Sequence, residues 1–133
     1  MRAGQSQKEV TVNEALLAAD ILLHPSIEAV VSSPPTTPAL GQCWLVGTSA
    51  TGTFAGHAHH IAAWSEGGWQ FLPPRNGMRV FDLSAGADRL FLASNWQIVA
   101  APANPTGGSF VDSEARTAIA AILTALTNAG LLS

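Results

Sequence analysis

The sequence predicts an α+β fold: an N-terminal helix, a small antiparallel β-meander of five or six short strands, and a C-terminal amphipathic helix. Three observations carry that prediction. The stretch IAAWSEGGWQFL, residues 61–72, places two apolar and aromatic runs on either side of Ser65, Glu66, Gly67 and Gly68, and a short Gly-containing break between such runs is the sequence form of a β-hairpin. The pattern returns over residues 90–99, where an apolar run, a polar break and Trp96-Gln97 followed by apolar residues recur in the same order. Both ends of the chain carry aliphatic residues at helical spacing behind residues that start helices.

At the N-terminus, Thr11-Val-Asn-Glu14 fits a capping box, in which the Thr hydroxyl meets the backbone N–H of Glu14 and the Glu carboxylate returns to that of Thr11. Ser6-Gln-Lys-Glu9 has the same form, but the β-branched Val10, Thr11 and Val12 favour the later start. The helix then runs to about Leu23, because Pro25 disfavours helical geometry at His24. Leu16, Leu17, Ile21, Leu22 and Leu23 cover more than one face, so this helix is held by packing on its own sheet or on a neighbouring subunit.

Residues 26–31 read as a short strand or edge, and Ser32-Ser-Pro-Pro-Thr-Thr-Pro38 as a polyproline-type spacer between helix and sheet. A strand over residues 42–46 follows, then a loop over 48–56 that Phe54 anchors into the core. The first hairpin (60–64 and 69–72), a turn at Pro73-Pro-Arg-Asn-Gly77, a strand over 78–82, a loop over 83–88 and the second hairpin complete the sheet. Ala101-Pro-Ala-Asn-Pro-Thr-Gly-Gly108 ends it. Asp112 is a good N-cap for the last helix, Glu114 offsets the helix dipole in the first turn, and Gly130 is placed to end the helix in left-handed geometry. Ala115, Ile119, Ile122, Leu126 and Ala129 are spaced four, three, four, three, the seam of a coiled coil, with Leu123 beside it. The expected segments are therefore 1–100 (helix and meander), 101–110 (linker) and 111–133 (oligomerisation helix).

Charge sets the expected partners. Of 133 residues only 11% are charged, against about 25% in ordinary domains. None lies between residues 29 and 65 or from 117 to the end. So much uncharged surface implies cover by another chain, and a homo-oligomer is expected. Six basic residues scattered singly cannot form the Lys/Arg stripe that neutralises phosphates, so nucleic acid is not an expected partner. Residues 117–132 are uncharged but fall short of the ~20 apolar residues of a spanning helix, and residues 2–9 are polar where a signal peptide is apolar, so neither membrane anchoring nor export is expected. The single Cys43 reads as a small buried hydrophobe and leaves the redox compartment open.

Three constellations could carry chemistry. His57, His59 and His60, with His24 as a fourth, could meet at a metal, although three histidines leading into a strand are more commonly hydrogen-bonded or solvated. Trp44, Trp64, Trp69 and Trp96 could stack on sugar rings, against the simpler reading that they fill a small core or interface. Asp82 and Asp88 could form a glycosidase pair only if the fold makes them converge. No Ser/His/Asp order, nucleotide-binding Gly motif or zinc-protease motif is present, and GTSATG lacks the Lys of a P-loop, so no catalytic residue and no cofactor is assigned.

A family resemblance adds to this reading. Gly4-Gln-Ser-Gln-Lys8 leading into Thr11-Val-Asn-Glu-Ala-Leu16 and Asp20, Gly41-Gln-Cys-Trp-Leu-Val-Gly47, Ala50-Thr-Gly-Thr-Phe-Ala-Gly-His57, Ile61-Ala-Ala-Trp64, Gly68-Trp-Gln-Phe71 with Pro73 and Gly77, and Trp96 resemble a small domain of unknown function. That domain recurs in tailed-phage, prophage and gene-transfer-agent structural proteins of alphaproteobacteria. The segment from Val111 to Ile119 and on through Gly130-Leu-Leu resembles a helix that closes many such proteins. The resemblance implies a non-enzymatic virion component of the tail-fibre or head-spike class, assembled in the bacterial cytoplasm and symmetric, with a homotrimer favoured. Other virion proteins are then the expected partners and host surface polysaccharide a possible one. Related proteins can continue into larger receptor-binding regions, so for a chain ending at Ser133 a base, adaptor or decoration role is expected as much as direct host binding.

Overall fold

The computed structural model describes residues 3–132, with side chains described from residue 8 onward. Met1, Arg2 and Ser133, which bound the expected segments, lie outside the described residues, as does the Ser6 side chain of the alternative capping box. The protein is α+β, with two helices and eight strands in two sheets among those residues. It forms two compact units, Met1–Pro74 and Arg75–Ser133, and the C-terminal helix shares its unit with the strands of the second hairpin.

Helix α1 (Ala3–Leu23) opens the first unit and begins well before Thr11, which therefore sits inside the helix and not at its cap. Gln5, Gln7, Lys8 and Glu9 are good helix formers, while Val10, Thr11 and Val12 cost only a few tenths of a kcal/mol each, so propensity extends the helix past the β-branched run. It stops ahead of Pro25, as expected. Strands β1 (Ser26–Ile27) and β2 (Val30–Val31) divide the expected edge into two short pieces.

Strand β2 pairs parallel with β3 (Cys43–Val46), Val30 opposite Leu45 and Val31 opposite Val46. That pairing, with eight strands in two sheets, corrects the expected single antiparallel meander of five or six strands and the role of the Pro-rich segment. Parallel neighbours need a connection of about a dozen residues, and residues 32–42 supply it as a crossover within the sheet. Strands β4 (Ile61–Ser65) and β5 (Gly68–Leu72) follow as the predicted hairpin, giving the order β2-β3-β4-β5. Gly68 adopts φ +103°, open to glycine at no steric cost, and Ser65 Oγ donates to its carbonyl at 2.8 Å.

Register assigns each face of this sheet. Trp44 lies opposite Ala62, Ala62 opposite Phe71 and Trp64 opposite Trp69, so these residues share one face with Val46. The loop between β3 and β4 folds over that face through a short 3-10 turn (Gly52–Phe54) and buries Phe54 completely against Val46 and Ala62, with Trp69 and Phe71 at the rim. Cys43, Leu45, Ala63 and Gln70 point to the other face, where Leu17 and Ile21 of α1 meet Cys43 and Ala63 around a cavity of about 310 Å³. Gln70 Nε2 donates to the Glu14 carbonyl at 3.2 Å and ties the helix to the sheet.

In the second unit, β6 (Arg79–Asp82), β7 (Ala87–Leu92) and β8 (Asn95–Ile98) form an antiparallel meander. The expected loop over 83–88 is shorter, because β7 begins at Ala87. The turn between β7 and β8 places Ala93 and Ser94 at φ +49° and +63°, the left-handed pair that a two-residue hairpin demands even without glycine. Helix α2 (Ser113–Asn128) closes the unit.

Candidate functional site

Helix α2 is built at both ends by the residues the sequence singles out. The Asp112 carboxylate accepts from Ala115 N at 2.8 Å, and Glu114 follows in the first turn. At the other end Gly130 has φ +71°, Gly130 N donates to the Thr127 carbonyl at 2.9 Å and Leu131 N to the Leu126 carbonyl at 3.0 Å, a paired stop that satisfies carbonyls the helix would leave open. Gly130 also docks the helix end: its carbonyl accepts from Asp88 N at 2.8 Å, and a Cβ there would stand 3.1 Å from Phe81 Cε2. Arg116 reaches the Pro105 carbonyl at 2.6 Å and the Gly107 carbonyl, holding the Pro/Gly segment beside the first turn.

Between these anchors α2 has no buried residue. Ile122 is 58% exposed and Ile119 42%, Ala115 and Ala129 are exposed, and Leu123 and Leu126 are half-covered. Arg116 carries the last charge before the end of the chain, so the open stripe is apolar and uncharged along its length. Water must cover it unless another surface does, at ~25 cal/mol for each Å² left exposed.

The other candidate residues fall into structural settings. Trp69 meets Trp44, Trp64 and Phe54 edge to face, with ring centroids 5.5, 5.0 and 4.9 Å away. Trp44 is buried, and Trp64 is half-buried at the open end of this cluster. Trp96 belongs to the second unit, buried against Phe91 at 5.2 Å. His57 stacks flat on Phe71 at 3.8 Å and meets His60 edge-on at 5.3 Å, His60 Nδ1 lies 3.1 Å from the Ala58 carbonyl, and His59 turns the chain at φ +65°. Among the described residues no group of three His, Cys, Asp or Glu side chains is arranged to hold a metal ion.

Asp82 and Asp88 do not converge. Asp88 stands opposite Phe81 and Asp82 opposite Ala87, so the two carboxylates point to opposite faces of their sheet and cannot flank one glycosidic bond. Asp82 is fully buried, accepting from Ser84 N at 2.9 Å, Ser84 Oγ at 2.6 Å, Ala85 N at 3.1 Å and Arg89 Nε at 2.6 Å. Burial alone would raise its pKa, but the hydrogen bonds from Ser84, Arg89 and Ala85 and the Arg89 charge outweigh that and hold it below the ordinary carboxylate value. Burial pushes the Cys43 thiol up to about 11, with the charges of Glu28 and Asp20 adding to the effect, so the residue is protonated and inert.

One feature escaped the sequence reading. A groove of about 630 Å³ runs between α1 and the β4–β5 hairpin, with Asn13, Glu14, Trp64 and Gln70 in its wall. Gln70 Oε1 is buried there with no hydrogen-bond partner. Only the pairing of a helix with a distant strand creates it, so no local pattern announces it. No helix among the described residues is long and apolar enough to cross a membrane.

No curated protein matches the chain. The model of one family, described as a protein of unknown function (DUF2793), matches residues 12–97, a span that takes in strands β2 to β5 of the first unit and all but the last residue of the meander of the second. Since that span is well over half of the chain, this protein belongs to the DUF2793 family.

Proposed function

We propose that this chain is a non-enzymatic structural protein of a phage, prophage or gene-transfer-agent particle, acting as a symmetric homo-oligomeric block, with a trimer favoured, that attaches a tail fibre or head spike. The single observation that carries the assembly part is the uncharged, largely exposed stripe of α2 from Ala115 to Ala129, docked to its own unit at the Gly130 end. The particle part rests on the family resemblance of the ordered blocks between Gly4 and Trp96. Apolar contacts around a symmetry axis let a short chain form a rigid block, and other virion proteins are its partners.

Replacing Ile122 with Asp tests the assembly. A charge inside the seam must be desolvated on association, and the weakening expected is about a hundredfold or more. Light scattering at micromolar concentration is expected to give a multiple of one chain for the native protein and one chain for Ile122→Asp; the same mass for both would reject the α2 seam.

A second reading is favoured by the groove between α1 and the hairpin: a host-surface glycan, whose hydroxyls would donate to the exposed Glu14 carboxylate, with Trp64 at the groove edge. Titration with neutral polysaccharide is expected to quench tryptophan fluorescence and Glu14→Ala to weaken the quenching; no quenching in the native protein removes this reading.

A further inference from the structure

The chain holds five asparagines, and Asn76 alone among them precedes a glycine. That order carries covalent chemistry of its own. The backbone nitrogen of the residue after an asparagine can attack the side-chain amide carbon, and a glycine in that place has no Cβ to hinder the approach. The other asparagines are closed to this reaction in different ways. Asn13 lies inside α1, and Asn128 ends α2 ahead of Ala129, whose nitrogen is bonded to the Ala125 carbonyl. Asn95 opens β8 ahead of the buried Trp96, and Asn104 precedes Pro105, whose nitrogen carries no hydrogen to lose.

We propose that Asn76–Gly77 is a site of spontaneous covalent modification in the second unit, and that the fold restrains it through the hydrogen bond of the attacking nitrogen. In the first step Gly77 N loses its proton and forms a bond to Asn76 Cγ, while the Cγ–Nδ2 bond breaks and Nδ2 leaves as ammonia, so that a cyclic imide remains. Water then adds to one imide carbonyl and breaks its bond to Gly77 N. Breaking at Cγ leaves aspartate at position 76, and breaking at the main-chain carbonyl carbon leaves isoaspartate, with the main chain rerouted through Cγ. Nothing is oxidised or reduced, and water is the co-reactant.

The structure sets both the opening and the restraint. Asn76 and Gly77 are exposed at the corner of a turn that Met78 N closes on the Arg75 carbonyl at 2.9 Å. Gly77 takes φ +91° with open space where a Cβ would stand, so the Asn76 side chain has room to reach its nitrogen. That nitrogen, however, donates its hydrogen to the Phe91 carbonyl at 2.9 Å, and Phe91 N returns a bond to the Met78 carbonyl at 2.8 Å at the head of the β6–β7 ladder. A bonded N–H keeps the proton that the attack must remove, so the reaction waits for the turn to open locally. The two products then differ in effect. Aspartate leaves the main chain as it was and sets a carboxylate between the exposed Arg75 and Arg79. Isoaspartate lengthens the main chain between Asn76 and Gly77 and carries Gly77 N off the Phe91 carbonyl.

The inference does not depend on assembly, and its test uses the full chain at mildly alkaline pH, folded and unfolded in urea. The peptide containing position 76 is followed by mass spectrometry, with fragmentation that separates isoaspartate from aspartate. Both acids are expected at position 76, formed about tenfold or more slowly in the folded chain. Equal rates in the two states would overturn the restraint assigned to the Gly77–Phe91 bond, and an unconverted position 76 in the unfolded chain would overturn the site. Asn76→Gln, whose longer side chain disfavours the ring, is expected to stay unconverted; the same acid gain in that variant would place the chemistry elsewhere. Asn76→Asp carries the aspartate product from the start and is expected to keep the native urea midpoint, read at Trp96 beside Phe91, while aged native protein develops a second population that unfolds earlier. A single unchanged transition in protein shown to contain isoaspartate would overturn the loss of the Gly77–Phe91 bond.

Discussion

Phe54→Ala is expected to destabilise the first unit by about 4 kcal/mol, the largest effect of any single truncation in it. The ring is completely buried and joins three structures: it lies edge-on to Trp69 at 4.9 Å and to Phe71 at 5.7 Å, contacts the Val46–Ala62 centre, and closes the loop that crosses the sheet face. Removing it leaves a cavity that the surrounding rings cannot fill, because Trp69 is already fixed between Trp44 and Trp64. It also frees the loop, whose remaining ties include the bond from Thr51 N to the carbonyl of Ser32, just after β2, at 2.8 Å. A unit of this size has a stability of only some 5–10 kcal/mol, so a loss of this order moves the urea midpoint by more than a third of its value. Tryptophan fluorescence reads the transition directly, since Trp69 is the contact partner. A midpoint within error of the native one would mean that the loop and not the ring closes this face.

Asp82→Ala is expected to cost the second unit about 3 kcal/mol, because it strands Arg89 beside a buried gap and leaves the Ser84 and Ala85 N–H groups of the turn without their acceptor. Asp82→Asn keeps an acceptor for the turn but not the charge, and about half that loss is expected. The pH dependence has a definite sign. The folded pKa lies below the ordinary carboxylate value of about 4, so the stabilisation is complete above pH 4 and is lost as pH falls through the folded value. Urea denaturation between pH 7 and pH 3, followed at Trp96 beside Phe91, is expected to show an acid limb in the native protein that is flattened in Asp82→Asn. An equally steep limb in both would assign the acid sensitivity to another carboxylate.

These two residues also mark how far the sequence could be read. Phe54 was legible: a lone aromatic in a loop of Gly, Thr and Ser has few roles other than anchoring. Asp82 was not. As one of two acidic residues bordering a loop it invited an acid/base reading, and only the register of β6 with β7 sends Asp82 and Asp88 to opposite faces and supplies Arg89 as a partner. The histidines are similar. Their spacing suited a metal, but Phe71, eleven or more residues away, takes the face of His57. For the tryptophans the cross-strand register decides, bringing Trp44, Trp64 and Trp69 onto one face and spending their rings on each other.

By itself the sequence determined the parts whose energetics are local: the Ser65–Gly68 hairpin, the Asp112 cap and the Gly130 stop, each closed by hydrogen bonds between residues at most five apart. Composition added that some uncharged surface would remain. Tertiary structure alone decided that the Pro-rich segment is a crossover between parallel strands, and that Ile21 is buried while Leu16 and Leu23 stay 63% and 73% exposed. The reason is physical. An apolar residue on a two-sided helix gains the same free energy from any apolar neighbour, and which neighbour it meets depends on strands that join it only after the chain has folded.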